Sequence, residues 1–227
     1  MGREGGDAPS ADSVFVVGLG RFGTAVASEL VELDVDVLAI DTDQALVDEW
    51  VDHLSHVRVA DGTDSSTLSQ LGVTEFDAAV VAIGSGIEAS ILTTAALVDL
   101  GVKNVWAKAI TEEHGRILQR IGAHHVVFPE REMGERVAHV VTGQVTDYFE
   151  LDENFALAEL AVPAALAGTR LGESGIRDRF DVTVVCIKPV GHSFTYATNQ
   201  TVLGAGDVVL IAGEVEAVEK FAEYASK

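Results

Sequence analysis

Three glycines and an arginine are the first residues in this sequence able to do chemistry. In the run VFVVGLGRFGTAVASEL, residues 14–30, Gly18, Gly20 and Gly23 follow a short apolar stretch and open a helical pattern. Glycines at this spacing allow a tight turn, close approach of backbone to a phosphate, and close helix–strand packing. The N–H groups at the helix head then point at phosphate oxygens. Asp41 stands 18 residues beyond Gly23, at the end of the next apolar run. A carboxylate there accepts hydrogen bonds from ribose hydroxyls and repels a 2′-phosphate, which disfavours NADP.

Arg21 departs from that pattern. A cation in the first turn opposes the helix dipole at a cost of a few tenths of a kcal/mol. The placement makes sense if the guanidinium reaches extra phosphate charge, such as the end of a triphosphate or a neighbouring subunit's nucleotide. A solvated surface arginine is the alternative. Phe22 completes the turn beside it.

Two further loops fall where a nucleotide would lie. In ADGTDSSTL, Asp61, Thr63 and Asp64 can cap the following helix, and Asp61 can equally touch a base or ribose. In AIGSGIEAS, Ile83, Gly84 and Ser85 end the fourth apolar run and can line the crevice, although glycine punctuation of a loop accounts for them nearly as well. Glu130, Glu132 and Glu135 in FPEREMGERV can bind a hard cation through oxygen, or simply start a helix.

Catalytic signatures are missing. His124 and His125 are adjacent, so on a strand they face opposite sides. No H-E-x-x-H, no G-x-S-x-G and no cysteine–histidine pattern occurs. The one cysteine, Cys186, excludes an internal disulfide and lies in an apolar strand pattern where a buried inert thiol is expected.

The elements needed to position these residues follow from periodicity. Apolar runs at 14–17, 35–40, 57–60, 78–83, 104–108 and 125–128 alternate with helical patterns at 23–33, 45–51, 65–71, 87–100 and 112–121. Short strands apolar on both faces, separated by helices, predict an α/β fold: a Rossmann-like doubly wound parallel sheet. A longer helix is expected over 133–149, with Val137, Val140, Val141 and Val145 on one stripe. Strand patterns at 155–162, 182–189, 193–197 and 207–212 and a helix at 215–224 then predict a small α+β module. Its roughly 75 residues leave little room for a core, which points to an oligomer. The division expected is a tail at 1–12, a nucleotide-binding domain at 13–132, a crossover helix at 133–150 and the small domain at 151–227.

At 227 residues the chain has 15 basic and 36 acidic side chains, a net charge of −21. That charge excludes general affinity for nucleic acid, and no lysine/arginine cluster offers a DNA-reading helix. An acidic chain can still dock on basic loops at the cytoplasmic face of a membrane protein. There is neither a signal peptide pattern nor an apolar run of about 18 residues, so a cytoplasmic protein is expected.

The stretches VVGLGRFGTAVASEL, AIDTD, ADGTD, EASILTTAALVDLGVKNVWAKA and LQRIGAHHVVFPEREMGERVA, with the small C-terminal module, resemble RCK (regulator of potassium conductance) proteins. The nearest likeness is to the cytosolic gating subunits of Ktr-type potassium transporters, with Trk-type subunits further off. The resemblance implies a homo-oligomer, typically a ring of eight, docked on a membrane potassium channel subunit at the inner face of the cell membrane. ATP and ADP would compete in the N-terminal domain and favour active and inactive rings. It gives phosphate contacts to Gly18, Gly20 and Gly23, the ribose to Asp41, and the γ-phosphate to Arg21. It gives Glu130 a divalent cation, magnesium or calcium, and puts Lys108 beside the nucleotide. The C-terminal module resembles the RCK-C domain, which in several relatives binds cyclic di-AMP. Arg177 matches the arginine of that site, whereas Leu171 is followed by Gly172 where relatives carry a second bulky aliphatic.

Two classes of function stay open on these grounds. One is a regulatory subunit that senses ATP/ADP, or NAD/NADH, and is not an enzyme. The other is an NAD-dependent oxidoreductase, which shares the glycines and Asp41 but lacks a proton donor and a substantial substrate domain.

Overall fold

The computed structural model describes residues 11–152 and 154–226; the tail expected at 1–12 therefore lies almost wholly outside the described residues. Asp12 and Ser13 are already held, since both backbone N–H groups donate to the Asp77 carboxylate at 3.0 Å.

The first unit alternates strand and helix: β1 (Ser13–Val17), α1 (Arg21–Glu32), β2 (Asp36–Asp41), α2 (Gln44–Trp50), β3 (His56–Val59), α3 (Ser65–Gln70), β4 (Ala78–Val81), α4 (Ile87–Asp99), β5 (Val105–Lys108), α5 (Glu112–Arg120) and β6 (His125–Val127). Its six strands lie in the order β3-β2-β1-β4-β5-β6, and every neighbouring pair is parallel. Alternate residues of one strand serve opposite faces. Val14, Val16, Val37 and Ala39 pack with Ala27 and Val47, while Phe15, Val17, Leu38 and Ile40 pack with Leu97 and Leu118. Both faces are therefore apolar, as parallel strands under helices require. The chain reverses direction across the sheet between β1 and β4. That reversal opens a crevice at the strands' C-terminal ends.

The second compact unit begins after Glu130. It is made of α6 (Pro129–Val141), which starts in the first unit, then β7 (Asp147–Asp152), β8 (Phe155–Ala161), α7 (Ile176–Phe180), β9 (Thr183–Lys188), β10 (Thr195–Tyr196), β11 (Val208–Glu214) and α8 (Val215–Ala225). The strands form one antiparallel sheet, β10-β9-β11-β8-β7. It carries its own contiguous core, in which Ala156, Ala158, Leu160 and Ile211 pack with Val218 and Phe221 of α8.

The helix expected over 133–149 is corrected. It runs from Pro129 to Val141, and the last residues of the expected span belong to β7. Gly143 at φ +75° ends the helical path, a conformation that side chains other than glycine rarely take. The valine stripe then splits. Val137 and Val141 stay exposed on α6, whereas Val145 and Tyr148 are buried in the core of the second unit. Arg136 of α6 clamps Asp147 of β7 through two hydrogen bonds of 2.6 Å.

Candidate nucleotide-binding site

The glycine turn shows why each of its glycines is there. Gly18 sits at φ +102°, open to glycine and strained for other residues. A Cβ on Gly23 would stand 1.8 Å from the Gly18 carbonyl oxygen, so α1 can lie this close to the turn only as glycine. Gly20 differs. A Cβ there would meet nothing within 4 Å. The protein's own packing does not require glycine at this position.

The turn and four strand ends enclose a cleft of about 410 Å³. Gly18, Gly20, Asp41, Asp61, Ile83 and Gly84 all line it. Asp41 braces the turn: its carboxylate accepts from the Leu19 N–H at 2.7 Å and the Asp43 N–H at 2.9 Å. Each oxygen keeps lone pairs for a further donor. Asp61 accepts from both the N–H and the hydroxyl of Thr63, at 2.9 and 2.8 Å, while Asp64 caps α3 through the Ser66 N–H. Asp64 and not Asp61 is thus the helix cap, and the hydrogen bonds from Ser66 and Thr67 hold its carboxyl below the usual range.

Helix capping separates the elements by role. Asp43 caps α2, Asp64 caps α3 and Thr111 caps α5 with side-chain oxygens. Two of the helices that open on the cleft, α1 and α4, do not follow suit. α1 begins at Gly20 and α4 at Gly86, both without a side-chain cap. Their first N–H groups have no side-chain cap, and a helix dipole favours negative charge at such an end.

Arg21, Phe22, Gly23, Lys108 and Glu130 stand outside the cleft lining. Lys108, the last residue of β5, is 7% exposed. Its Nζ lies 2.5 Å from Glu130 Oε1 and 5.5 Å from the Phe22 ring centroid. The same Nζ would lie 3.3 Å from a Cβ on Gly84, which does line the cleft. Arg21 is exposed at the head of α1. The hydrogen bond from Lys108, with the positive charges of Lys108 and Arg21, holds the Glu130 carboxyl below the usual carboxylate range.

The expected cation ligand is therefore already paired. Among the described residues no three His, Cys, Asp or Glu side chains are grouped to hold a metal ion.

Thr93 was not foreseen. It lines the cleft from α4, is fully buried, and its hydroxyl has no hydrogen-bond partner among the described residues. Gly62 faces it, since a Cβ there would come within 2.8 Å of Val17 and 3.1 Å of Thr93. The signal was present: Ser90, Thr93 and Thr94 put three small polar residues on the buried face of α4.

In the second unit Leu171 and Arg177 do come together, lining one cleft of about 350 Å³ with Gly172, Asp178 and Asn199 among others. Arg177 donates to the Thr183 hydroxyl at 2.6 Å. Cys186 is half-buried on β9, less enclosed than expected.

Residues 14–129 match the TrkA-N domain and residues 156–226 the TrkA-C domain. The chain is 39% identical over 207 residues to the Ktr system potassium uptake protein C of Bacillus subtilis (strain 168), covering 91% of this chain and 94% of that one. It is 35% identical to the Ktr system potassium uptake protein A of Vibrio alginolyticus, covering 87% and 90%. Among solved structures it is similar to the GsuK RCK domain at 25% identity and a TM-score of 0.53, over 97% of this chain but only 48% of that one. With both domains matched and a relative spanned nearly end to end, the chain belongs to the TrkA-N/TrkA-C (RCK) family.

Proposed function

We propose that the protein is a cytoplasmic regulatory subunit of a membrane potassium transporter or channel, switched by an adenine nucleotide in the cleft of its first unit. The observation that carries the nucleotide is the pair of helices starting at the bare glycines Gly20 and Gly86, aimed into a cleft that also holds Asp41. Phosphate fits those helix heads, and a ribose fits the Asp41 carboxylate. The potassium partner rests on kinship with the two Ktr potassium uptake proteins. Among the described residues no helix is long and apolar enough to cross a membrane.

The cleft supports ATP and ADP over NAD and NADH. Its lining comes from the ends of β1 to β4 and the starts of α2 and α4, with nothing from β5 or β6. A dinucleotide extends across the switch point toward those last strands. Here Lys108, Glu130 and Phe22 gather at that end. The same crowding counts against the oxidoreductase reading, which needs a nicotinamide and a substrate there.

Regulation then works by differential binding. A nucleotide whose terminal phosphate reaches Arg21 stabilises one conformation of a homo-oligomeric ring, of eight copies by the family likeness, and the population shifts toward it. The cleft holding Leu171 and Arg177 supports cyclic di-AMP as a second ligand of the same assembly.

The test is thermal stabilisation of the full chain by ATP, ADP, NAD, NADH and cyclic di-AMP, with and without magnesium, beside the oligomer mass. ATP and ADP should raise the melting temperature more than NAD or NADH. Arg21→Ala should keep the ADP shift and lose the additional ATP shift. Equal shifts with NADH, or an Arg21→Ala variant identical to the parent, would count against the reading.

A further inference from the structure

We propose that the groove between α6 and α8 of the second unit binds a linear polyamine, with one ammonium beside the Tyr148 hydroxyl and Glu219 and another against Glu216 or Glu223. The site shares no residue with the nucleotide cleft or with the cleft holding Leu171 and Arg177. It therefore stands or falls independently of the nucleotide reading.

The floor of the site is an unmet hydrogen bond. Tyr148 is 2% exposed, and its hydroxyl has no partner among the described residues. A buried hydroxyl in that state carries a desolvation cost that a ligand can relieve. Tyr148 lines a hollow of about 20 Å³ with His139, Thr142, Gln144 and Glu219 among others. That volume admits a single group the size of water. An ammonium has this size and brings three N–H donors. The acceptors are the Tyr148 hydroxyl oxygen, the Glu219 carboxylate and the Thr142 hydroxyl, whose own proton goes to the His139 carbonyl at 2.6 Å. Burial, joined by the carboxylates of Glu150, Glu219 and Glu135, pushes the Tyr148 pKa above its usual value. The hydroxyl thus keeps its proton at neutral pH and stays a neutral partner. The His139 ring stacks on that of Tyr148, 3.8 Å between centroids, and walls the same hollow.

The hollow continues into the wider groove, since His139, Thr142, Gln144 and Glu219 line both. The groove measures about 590 Å³. Glu216, Glu219 and Glu223 form its α8 side, with Lys220 as the cation among them. Residues at i, i+3 and i+7 share one helix face and rise by about 4.5 and then about 6 Å. Like charges so placed repel and weaken the helix, and a single lysine offsets them only in part. Amines joined by three or four methylenes repeat at comparable intervals. One such chain can meet two of the carboxylates while its head stays under Tyr148. A metal ion suits the site less well. Among the described residues no three His, Cys, Asp or Glu side chains are grouped to hold one, and a bare ion in the hollow leaves the rest of the acidic wall unmatched.

The test is titration calorimetry and thermal melting of the full chain at low, fixed ionic strength. The probes are spermidine, putrescine, potassium chloride and ammonium chloride, each set against sodium chloride. They are applied to the parent, Tyr148→Phe, Glu219→Gln and Glu32→Gln, the last removing an exposed acid of the first unit. Spermidine should bind the parent at one site per chain, more tightly than putrescine, and raise its melting temperature. The two inorganic salts should shift nothing. Glu219→Gln should weaken spermidine by about tenfold or more, the worth of one charged hydrogen bond. Tyr148→Phe should weaken it similarly, yet without ligand melt no lower than the parent, because it removes an unpaired buried hydroxyl. Glu32→Gln should change neither reading. The proposal is overturned by no spermidine binding, which leaves the hollow to water. It is overturned equally by binding that Glu32→Gln weakens as much as Glu219→Gln does, which is counter-ion attraction to a chain of net charge −21. Stabilisation by potassium or ammonium chloride as large as that by spermidine would make the hollow an inorganic ion site instead. A Tyr148→Phe variant that melts lower and binds spermidine as the parent does would give the hydroxyl a structural role only.

Discussion

Gly20 and Gly23 are both glycine, yet the protein's own packing requires it only at Gly23, and substitution separates the two. Gly23→Ala pushes a Cβ to 1.8 Å from the Gly18 carbonyl oxygen, a backbone atom that cannot rotate away. It should destabilise the first unit by about 3 kcal/mol or more, in the range of overpacked positions. Gly20→Ala meets open space at φ −70°, ψ 179°, which alanine adopts freely. Its melting temperature should stay within a few degrees of the parent, while nucleotide affinity falls at least about tenfold because the methyl stands where phosphate would approach. Chemical denaturation and calorimetric titration of both variants check the contrast. A Gly20→Ala variant that binds as the parent does would remove the phosphate contact from this turn.

At the scale of elements, α5 carries a titratable group that the site does not use. His114 is 2% exposed, and its Nε2 has no partner among the described residues. Its backbone N–H is capped by the Thr111 hydroxyl at the start of the helix. Burial pushes its imidazole below the usual value of about 6.5. The unfolded chain therefore takes up this proton at a higher pH than the native one does. Stability from this group is full above about pH 6.5 and declines as pH falls through and below that value. The melting temperature should accordingly drop between about pH 7 and pH 5.5, and His114→Phe should flatten the slope in that window. An unchanged slope in the variant would assign the effect to another group. The capping contrast belongs to this scale too. Asp64 was among the caps readable from type and position, whereas the caps at Asp43 and Thr111 and the bare starts of α1 and α4 appear only in the structure.

For the whole molecule, two units with separate cores imply two responses to heat. The cores of the first unit draw on its parallel sheet and helices, and that of the second on residues 145–222. Differential scanning calorimetry of the full chain should resolve two transitions. ADP at about a hundred times its dissociation constant should stabilise one of them by about 2.7 kcal/mol and leave the other in place. A single transition that moves as a whole would mean that the units unfold together.

Much of this was legible in the sequence because the signals are local. Apolar runs, helical periods and the glycine spacing each depend on a few neighbouring residues, so the parallel sheet, its helices and the phosphate turn could be read in order along the chain. The linker helix misled because its valines kept a helical stripe past Gly143, and periodicity cannot report that Val145 and Tyr148 find a better-buried place in a neighbouring sheet. Tertiary structure alone decided what lies far apart in sequence. It joined Lys108 to Glu130 across 22 residues, set Phe22 beside them, and brought the buried Thr93 to the wall of the cleft. The family resemblance had marked Lys108 and Glu130 as separate candidates, one near a nucleotide and one near a cation. Only folding put one charge in the interior and the other at its edge.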